Sequence, residues 1–271
     1  MNLVARAIFI SGIALATPLL AQDPPAPDAP SPSEPVDSPE PVVDPEAKRI
    51  LARAVDAIGG EKHRASVQSS RSVAQLETDT GSTKFELLTM RPNKFLVRQS
   101  IKGLGQMEMG YDGETGWRKD PPDGLVAPLD SEYALAFGNR FDLQALIRNL
   151  DLRFPNQAIA EPVELEGVNC DAVKLDDGET VLIAYFDSAT GLPKALEIPN
   201  DKDSSPARRI TIEEWHTDAR PLRWARTIRV EQNRQTMRAV YSSVSFDDVS
   251  ETTFQPPVAL DNPLQPGVIA E

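Results

Sequence analysis

Residues 84–111 read KFELLTMRPNKFLVRQSIKGLGQMEMGY, and this stretch decides the fold class. Apolar side chains recur at every second position in three runs, which turn signals at Arg91-Pro92-Asn93 and Lys102-Gly103 separate. The runs are Phe85 to Thr89, Phe95 to Ile101, and Met107 to Tyr111. A period of two is typical of strands that bury one face. We therefore predict antiparallel hairpins with a single apolar face.

A helix is predicted directly before these strands. Asp44 is a suitable N-cap, and Pro45 suits the first helical position. An apolar stripe begins at Ile50 and ends before Gly59-Gly60. We expect a short connector around Glu61 to Ser66. Because the helix has only one apolar face, it needs a sheet to cover.

The chain beyond residue 111 is predicted to continue with strands, two short helices and a second meander. A hairpin at Asp112-Gly113 leads to Trp117, and the loop at Pro121 to Gly124 breaks the first meander. The two helices are Ser131 to Phe137 and Phe141 to Leu150. Seven strands follow: Ala160 to Glu166, Val168 to Leu175, Thr180 to Phe186, Pro193 to Ile198, Arg208 to Glu214, Arg223 to Gln232 and Met237 to Phe246.

These elements predict an α+β fold that is mostly β, with a curved antiparallel half-barrel sheet and a few helices on its concave face. A hydrophobic space between sheet and helices is the expected place for a ligand. We expect one domain at residues 45–257 and a flexible tail at residues 258–271.

The N-terminus has the features of an export signal at residues 1–21. Arg6 supplies the positive charge, Ala7 to Leu20 form a short apolar segment, and cleavage is expected after Ala21. Gln22 follows, where a lipid-anchored protein would need a cysteine, so we expect a soluble periplasmic protein. The alternative is an uncleaved signal that anchors the protein in the inner membrane.

Residues 22–44 form a proline-rich acidic segment without Lys or Arg. Such a segment cannot bury enough apolar surface to offset its ordering entropy, so we expect a disordered linker. The whole chain has a net charge of −13. This acidity argues against a nucleic-acid ligand and against electrostatic attraction to an anionic membrane surface.

No recognisable catalytic or cofactor-binding motif occurs in the sequence. His63 and His216 are the two histidines, and neither has a Cys, His or carboxylate at metal-ligand spacing. A nucleophile elbow, a phosphate loop and a dinucleotide fingerprint are absent from the mature sequence. We interpret the single Cys170 as a packed core thiol. We therefore predict no catalytic residues, no metal and no cofactor.

Arginines are concentrated between Arg208 and Arg238. A rim that binds anionic headgroups or an acidic partner is one interpretation, since guanidinium groups bind phosphates and carboxylates well. The rim candidates are Arg220, Arg223, Arg226 and Arg229. The alternative is a solvent face of edge strands, on which charge prevents edge pairing.

Several segments, taken in order along the chain, resemble the LolA/LolB-like family of periplasmic lipoprotein carriers and related sensor domains. They cover nearly all of the expected domain. The segments are Ala57 to Gly60, Met90 to Phe95, Gly110 to Trp117, Tyr185 to Pro193, Phe246 to Val249, and Phe254 to Pro257.

The resemblance implies a half-barrel closed by helices around an apolar cavity that shelters acyl chains in the periplasm. Methionines suit a wall that adapts to mobile chains. The wall candidates are Phe85, Leu87, Phe95, Val97, Met107, Met109 and Tyr111. The alternative, that these residues are ordinary core, stays open because periodicity does not distinguish a core face from a cavity wall.

We accordingly expect a monomeric, non-catalytic periplasmic protein that binds lipid or the acyl chains of lipoproteins. Its expected partners are lipid or acylated lipoprotein and envelope membrane proteins, with no nucleic acid. One alternative is a protein-interaction or sensor module of an envelope complex that uses the same fold with a filled core. An envelope hydrolase is a further alternative.

Overall fold

The computed structural model describes residues 41–199, 208–216 and 222–257. The predicted signal at residues 1–21, most of the 22–44 linker and the 258–271 tail lie outside these residues and stay predictions. The described helices are α1 (Pro45–Ile58), α2 (Glu61–Ser66), α3 (Ser131–Phe141), α4 (Leu143–Arg148) and α5 (Leu150–Arg153), with a 3-10 turn at Glu251–Phe254. None of them combines the length and apolar character needed to cross a membrane.

Thirteen antiparallel strands of the described residues form one sheet, in the order β6-β5-β4-β3-β2-β1-β13-β12-β11-β10-β9-β8-β7. The first six are β1 (Ser69–Thr78), β2 (Gly81–Met90), β3 (Lys94–Ile101), β4 (Gly105–Tyr111), β5 (Gly116–Asp120) and β6 (Leu125–Leu129). The other seven are β7 (Asn156–Leu165), β8 (Val168–Asp176), β9 (Val181–Asp187), β10 (Pro193–Ile198), β11 (Arg208–His216), β12 (Trp224–Gln232) and β13 (Gln235–Phe246). The predicted α+β, mostly β architecture with few helices is confirmed.

Two meanders, β1 to β6 and β7 to β13, join where the first and last strands pair, as at Ala74 and Tyr241. This pairing leaves β6 and β7 at opposite edges of the sheet. The connection between them must therefore cross the sheet, and it does so as α3, α4 and α5. Residues of these helices, of α1 and of one sheet face form a single apolar core.

Several elements differ from the prediction. The expected connector at Glu61 to Ser66 is the helix α2. Strand β1 was not predicted because its buried positions include Ser70 and Ser72, which dilute the apolar alternation. The loop at Pro121 to Gly124 does not break the meander, because it joins β5 to β6 as a hairpin whose strands pair, as at Trp117 and Pro128.

A smaller apolar cluster lies on the opposite face of the sheet. It contains Leu88, Leu96, Trp117 and Phe254. The Trp117 Nε1 donates a hydrogen bond to the Phe254 carbonyl at 3.0 Å, so the 3-10 turn is fastened over β5. Gly110 provides the space, since a Cβ there would lie 2.5 Å from the Trp117 ring.

Helix α1 begins as its sequence predicts. The Asp44 carboxylate accepts hydrogen bonds from the backbone amides of Glu46 at 2.7 Å and Ala47 at 3.4 Å. The preceding residues extend along the edge strand β7, where the Gln157 amide donates to the Val42 carbonyl at 2.9 Å. The last residues assigned to the linker by sequence are thus hydrogen-bonded to the sheet.

We expect Asp44→Ala to lower the free energy of unfolding by about 1 kcal/mol, because two amides of the first helical turn lose their acceptor. Urea unfolding followed by circular dichroism measures the change. Asp44→Asn is the matched control, since its side-chain oxygen can also cap the helix. Equal stability of the two variants would contradict a capping role for Asp44.

Candidate functional site

The seven predicted wall residues lie on three neighbouring strands. Cross-strand pairs include Leu87 with Val97 and Val97 with Met109, and Phe95 lies opposite Tyr111. Six of the seven are buried in the main core, from Val97 at 1 % exposed to Tyr111 at 7 %. Met107 is half-buried at the margin, opposite Gln99. The structure therefore places these side chains together on one apolar surface, which we call the wall.

Helix α3 covers the wall through a very close approach. Ala134 and Gly138, one turn apart, are buried against the sheet. A Cβ at Gly138 would lie only 2.4 Å from Cδ1 of the buried Phe95 ring. Glycine is therefore required at this position for α3 to reach the sheet.

Aromatic side chains of α3 stack on the wall. Phe141 lies 5.9 Å from Phe85, and Phe137 lies 6.5 Å from Phe95, between ring centroids. Phe137 and Phe141 are themselves 4.3 Å apart. Both are only half-buried. Neither phenylalanine was predicted as a site residue, because the helix was predicted to end at Phe137. Small residues at 134 and 138 and aromatic residues at 137 and 141, each pair four positions apart, are the signal that indicates the longer helix.

The other end of the crossing connection is fastened by polar contacts. The Gln144 side chain of α4 donates to the Ala225 carbonyl at 2.7 Å and accepts from the Ala225 amide at 3.1 Å. The Asp151 carboxylate of α5 accepts hydrogen bonds from the buried Arg64 guanidinium, one of them at 3.0 Å. The Arg148 carbonyl accepts another from Arg64 at 3.3 Å. Helices α4 and α5 are thus attached to β12 and α2.

A polar cleft of about 220 Å³ opens beside α3. Its lining includes Phe95 and Gly138, so it adjoins the wall, together with Ser70, Thr89, Arg91, Lys94, Asp142, Arg148 and Asn149. Three of these side chains are cationic, and one is a carboxylate. The cleft is therefore the point at which the apolar wall meets a positively charged surface.

Asp142 and Arg148 dominate the electrostatics of this cleft. The Asp142 carboxylate caps α4 by accepting from the Ala145 amide at 2.8 Å, and it also interacts with the Thr89 hydroxyl. Desolvation raises the pKa of Asp142, and the nearby charge of Arg148 opposes that rise. Desolvation likewise lowers the pKa of Arg148, against the attraction of Asp142. Arginine remains protonated in proteins, so the cleft retains a cation.

The predicted arginine rim is largely occupied by ion pairs. Arg226 pairs with Glu214 at 3.2 Å. Arg229 pairs with Glu213 at 3.0 Å, with Glu231 at 3.1 Å, and with Glu166. Strand β12 lies inside the sheet, so protection of a sheet edge does not account for these charges.

The remaining rim candidates differ in their surroundings. Arg223 is exposed, and its backbone amide donates to the Ile58 carbonyl at 2.7 Å. Arg220 lies outside the described residues.

The histidine and cysteine side chains, which were considered for catalysis or metal binding, lie in separate parts of the fold. His63 hydrogen-bonds the Gly59 carbonyl through Nδ1 at 2.9 Å, and the His216 ring packs 4.6 Å from that of Trp224. Cys170 is buried, and desolvation raises the pKa of its thiol. In the part of the chain that the structure describes, no three His, Cys, Asp or Glu side chains are grouped to hold a metal.

No protein-family model and no curated protein sequence matches this chain. Solved structures do match it. A DUF1329 family protein from Desulfovibrio piger superposes with a TM-score of 0.54 at 16 % identity, covering 79 % of this chain and 98 % of that protein.

Two further structures carry descriptions that bear on the fold. A LolA superfamily protein from Nitrosomonas europaea gives a TM-score of 0.53 at 10 % identity, covering 78 % of this chain and 97 % of that one. A putative outer membrane lipoprotein-sorting protein domain from Vibrio parahaemolyticus gives 0.51 at 12 % identity, covering 77 % and 97 %. At such identities the likeness establishes the fold alone.

Proposed function

We propose that this chain, whose fold is LolA-like, is a non-catalytic periplasmic carrier that shelters lipid or lipoprotein acyl chains on the wall. One observation carries the proposal: the wall is an extended apolar surface whose cover, α3, contacts it through two small residues and two half-buried phenylalanines. An acyl chain can take the place of these phenylalanines without directional contacts. Binding then requires α3 to move aside, because the cleft of about 220 Å³ is smaller than usual ligand pockets.

The α3 to α5 connection is attached in a way that allows α3 to move. Its α4 and α5 end is fixed by the Gln144 and Asp151 contacts, whereas α3 rests on the wall mainly through apolar side chains. Asp142 ends α3 and begins α4, so it marks the point about which α3 swings.

The free energies of burial favour replacement of the α3 phenylalanines on the wall by an acyl chain. Fully uncovering a phenylalanine costs about 1.5–3 kcal/mol, so Phe137 and Phe141 together cost at most about 3–6 kcal/mol. Each buried methylene contributes about 0.8 kcal/mol. Roughly eight methylenes therefore offset the opening, and a full-length acyl chain exceeds that number.

The proposed location and partners follow from the sequence and from the fold. The features of an export signal at residues 1–21 support a periplasmic location. The Vibrio parahaemolyticus protein with this fold is described as a putative lipoprotein-sorting domain. Both support lipid or acylated lipoprotein as cargo and envelope membrane proteins as donors or acceptors.

We expect the double variant Phe137→Ala/Phe141→Ala to bind a fluorescent monoacylglycerol about a hundredfold more tightly than wild type, because the cargo no longer displaces two aromatic rings. Fluorescence titration measures the affinity. Leu152→Ala, which shortens an exposed side chain on α5, is the control and should leave the affinity unchanged.

Adding Met107→Glu to the double variant should reverse the gain, because it places a charge at the wall margin. Persistence of the gain would indicate uptake at another surface. Absence of uptake by wild type and double variant alike would contradict the carrier proposal.

A docking module with a filled core is the second candidate. The burial of six wall residues favours it, as do Ile159 and Val163, which are exposed on the edge strand β7. A sheet edge with exposed apolar side chains can accept a partner strand. The same lipid titration separates the two, because the docking module takes up no monoacylglycerol.

A further inference from the structure

We infer that Arg148, with Arg91 and Lys94 beside it, forms a binding site for a phosphate ester group in the cleft next to α3. The inference rests on the proposed carrier function in assigning that phosphate to the headgroup of a bound lipid. The ligand group that this site would recognise is an anionic phosphate oxygen with a hydroxyl group near it.

The first support is the state of the Arg148 guanidinium. Among the residues that the structure describes, no carboxylate lies within 4 Å of it, and it donates no hydrogen bond. Its guanidinium carbon lies over the face of Phe246, at 5.4 Å from the ring centroid. The opposing charge in the cleft is Asp142, whose carboxylate accepts from the Ala145 amide and interacts with Thr89 but forms no ion pair within 4 Å of Arg148. A guanidinium has five N–H donors, and those of this half-buried side chain are open to an acceptor from the cleft that it lines.

The second support is the sign and the shape of the surroundings. Arg91 and Lys94 line the same cleft, so cations outnumber the carboxylate of Asp142. Lys94 also pairs with Glu251 at 2.5 Å, which leaves Arg91 and Arg148 as the main anion-binding groups. The planar guanidinium fork suits phosphate oxygens better than a lysine does.

The third support is a buried acceptor without a donor. Asn149 donates through Nδ2 to the Ala145 carbonyl at 3.0 Å, but its Oδ1 has no partner among the described residues. Asn149 lines the cleft. A hydroxyl next to the phosphate, as in a glycerol headgroup, would supply the missing donor. The cleft, at about 220 Å³, is smaller than the usual pocket for a drug-sized ligand, which favours a small polar group such as a headgroup.

The position of the cleft connects the phosphate to the wall. Phe95 and Gly138 line the cleft and also form the contact between α3 and the wall. A lipid whose phosphate lies at Arg148 therefore has its acyl chains directed beneath α3. This arrangement predicts selection of anionic phospholipids over neutral lipids of equal chain length.

The test is calorimetric titration of the full-length protein with monomeric dihexanoyl phosphatidylglycerol, with dihexanoylglycerol, and with inorganic phosphate. We expect Arg148→Met to weaken binding of the phospholipid about ten- to hundredfold, and Arg148→Lys to weaken it less. Arg49→Met removes the same charge from an exposed position on α1 that does not line the cleft, and it should have no effect. Thermal unfolding checks that the variants are folded, and Arg148→Lys decides the question if Arg148→Met is not.

Equal affinity for the phospholipid and the uncharged diacylglycerol, or no effect of the Arg148 variants, would overturn the inference. Binding of the diacylglycerol alone leaves the carrier proposal intact and removes the phosphate site. Arg148-dependent binding of inorganic phosphate without any binding of diacylglycerol keeps the phosphate site and contradicts the carrier. Inorganic phosphate that binds as tightly as the phospholipid identifies free phosphate as the source.

Discussion

Gly138→Val is expected to detach α3 from the sheet and to expose the wall. The new Cβ would lie 2.4 Å from Cδ1 and 2.7 Å from Cγ of Phe95, a buried ring that cannot move aside as a flexible side chain does. Overpacking of this kind costs about 1–3 kcal/mol. Because α3 has few polar attachments, the cheapest relief is displacement of the helix. Amide hydrogen exchange in residues 133–141 should therefore accelerate, and monoacylglycerol binding should strengthen.

Ala136→Val is the control for Gly138→Val, because residue 136 is on the exposed side of the same helix and its valine makes no contact with Phe95. Valine is a poorer helix former than alanine and a better one than glycine, so a larger effect at residue 138 cannot come from helix propensity. We expect Ala136→Val to leave hydrogen exchange and lipid binding close to wild type. If the two variants behave alike, the close approach at Gly138 does not hold the cover.

Arg64→Met should cause the largest loss of stability, about 3–5 kcal/mol, at the opposite end of the connection. Arg64 is 5 % exposed, and its guanidinium binds the Asp151 carboxylate, Glu61 and the Arg148 carbonyl. Removing one partner of a buried ion pair leaves the other charge uncompensated. Asp151 retains 24 % exposure of its side chain, so we expect a value near the lower end. Urea unfolding at neutral pH measures the loss.

Two further variants test the origin of that loss. Arg49→Met breaks an ion pair with Glu46 in which both partners are more than half exposed, and it should leave the urea unfolding midpoint close to that of wild type. The double variant Arg64→Met/Asp151→Leu removes both charges and should recover much of the stability. Failure of this recovery would mean that the Arg64 methylenes, and not its charge, stabilise the junction.

The two ends of the α3 to α5 connection are held by different kinds of contact. The Arg64 and Gln144 contacts hold α4 and α5, whereas a glycine and two aromatic rings hold α3. Gly138→Val should therefore alter lipid access more than stability, and Arg64→Met should alter stability more than lipid access. Measuring both quantities on both variants tests this division.

Most of the sheet could be predicted because its signal is local. Alternating apolar residues mark β2, β3 and β4, and the Pro193–Ile198 strand has the bounds predicted for it. Strand β1 escaped prediction because serine occupies buried positions that cross-strand partners make acceptable, such as Ser70, whose hydroxyl hydrogen-bonds Thr89 at 2.7 Å. Such partners are distant in sequence, so no local pattern reveals them.

The sequence by itself determined the strand periodicity, the cap of α1 and the apolar character of the wall, because each depends on residues within a few positions of one another. Only the tertiary structure decided what covers the wall. The pairing of β1 with β13 sends β6 and β7 to opposite edges, and this forces α3 across Phe85 and Phe95 and brings Arg148 beside Arg91. The physical reason is that these contacts join residues separated by tens of positions, and their geometry exists only once the whole sheet has formed.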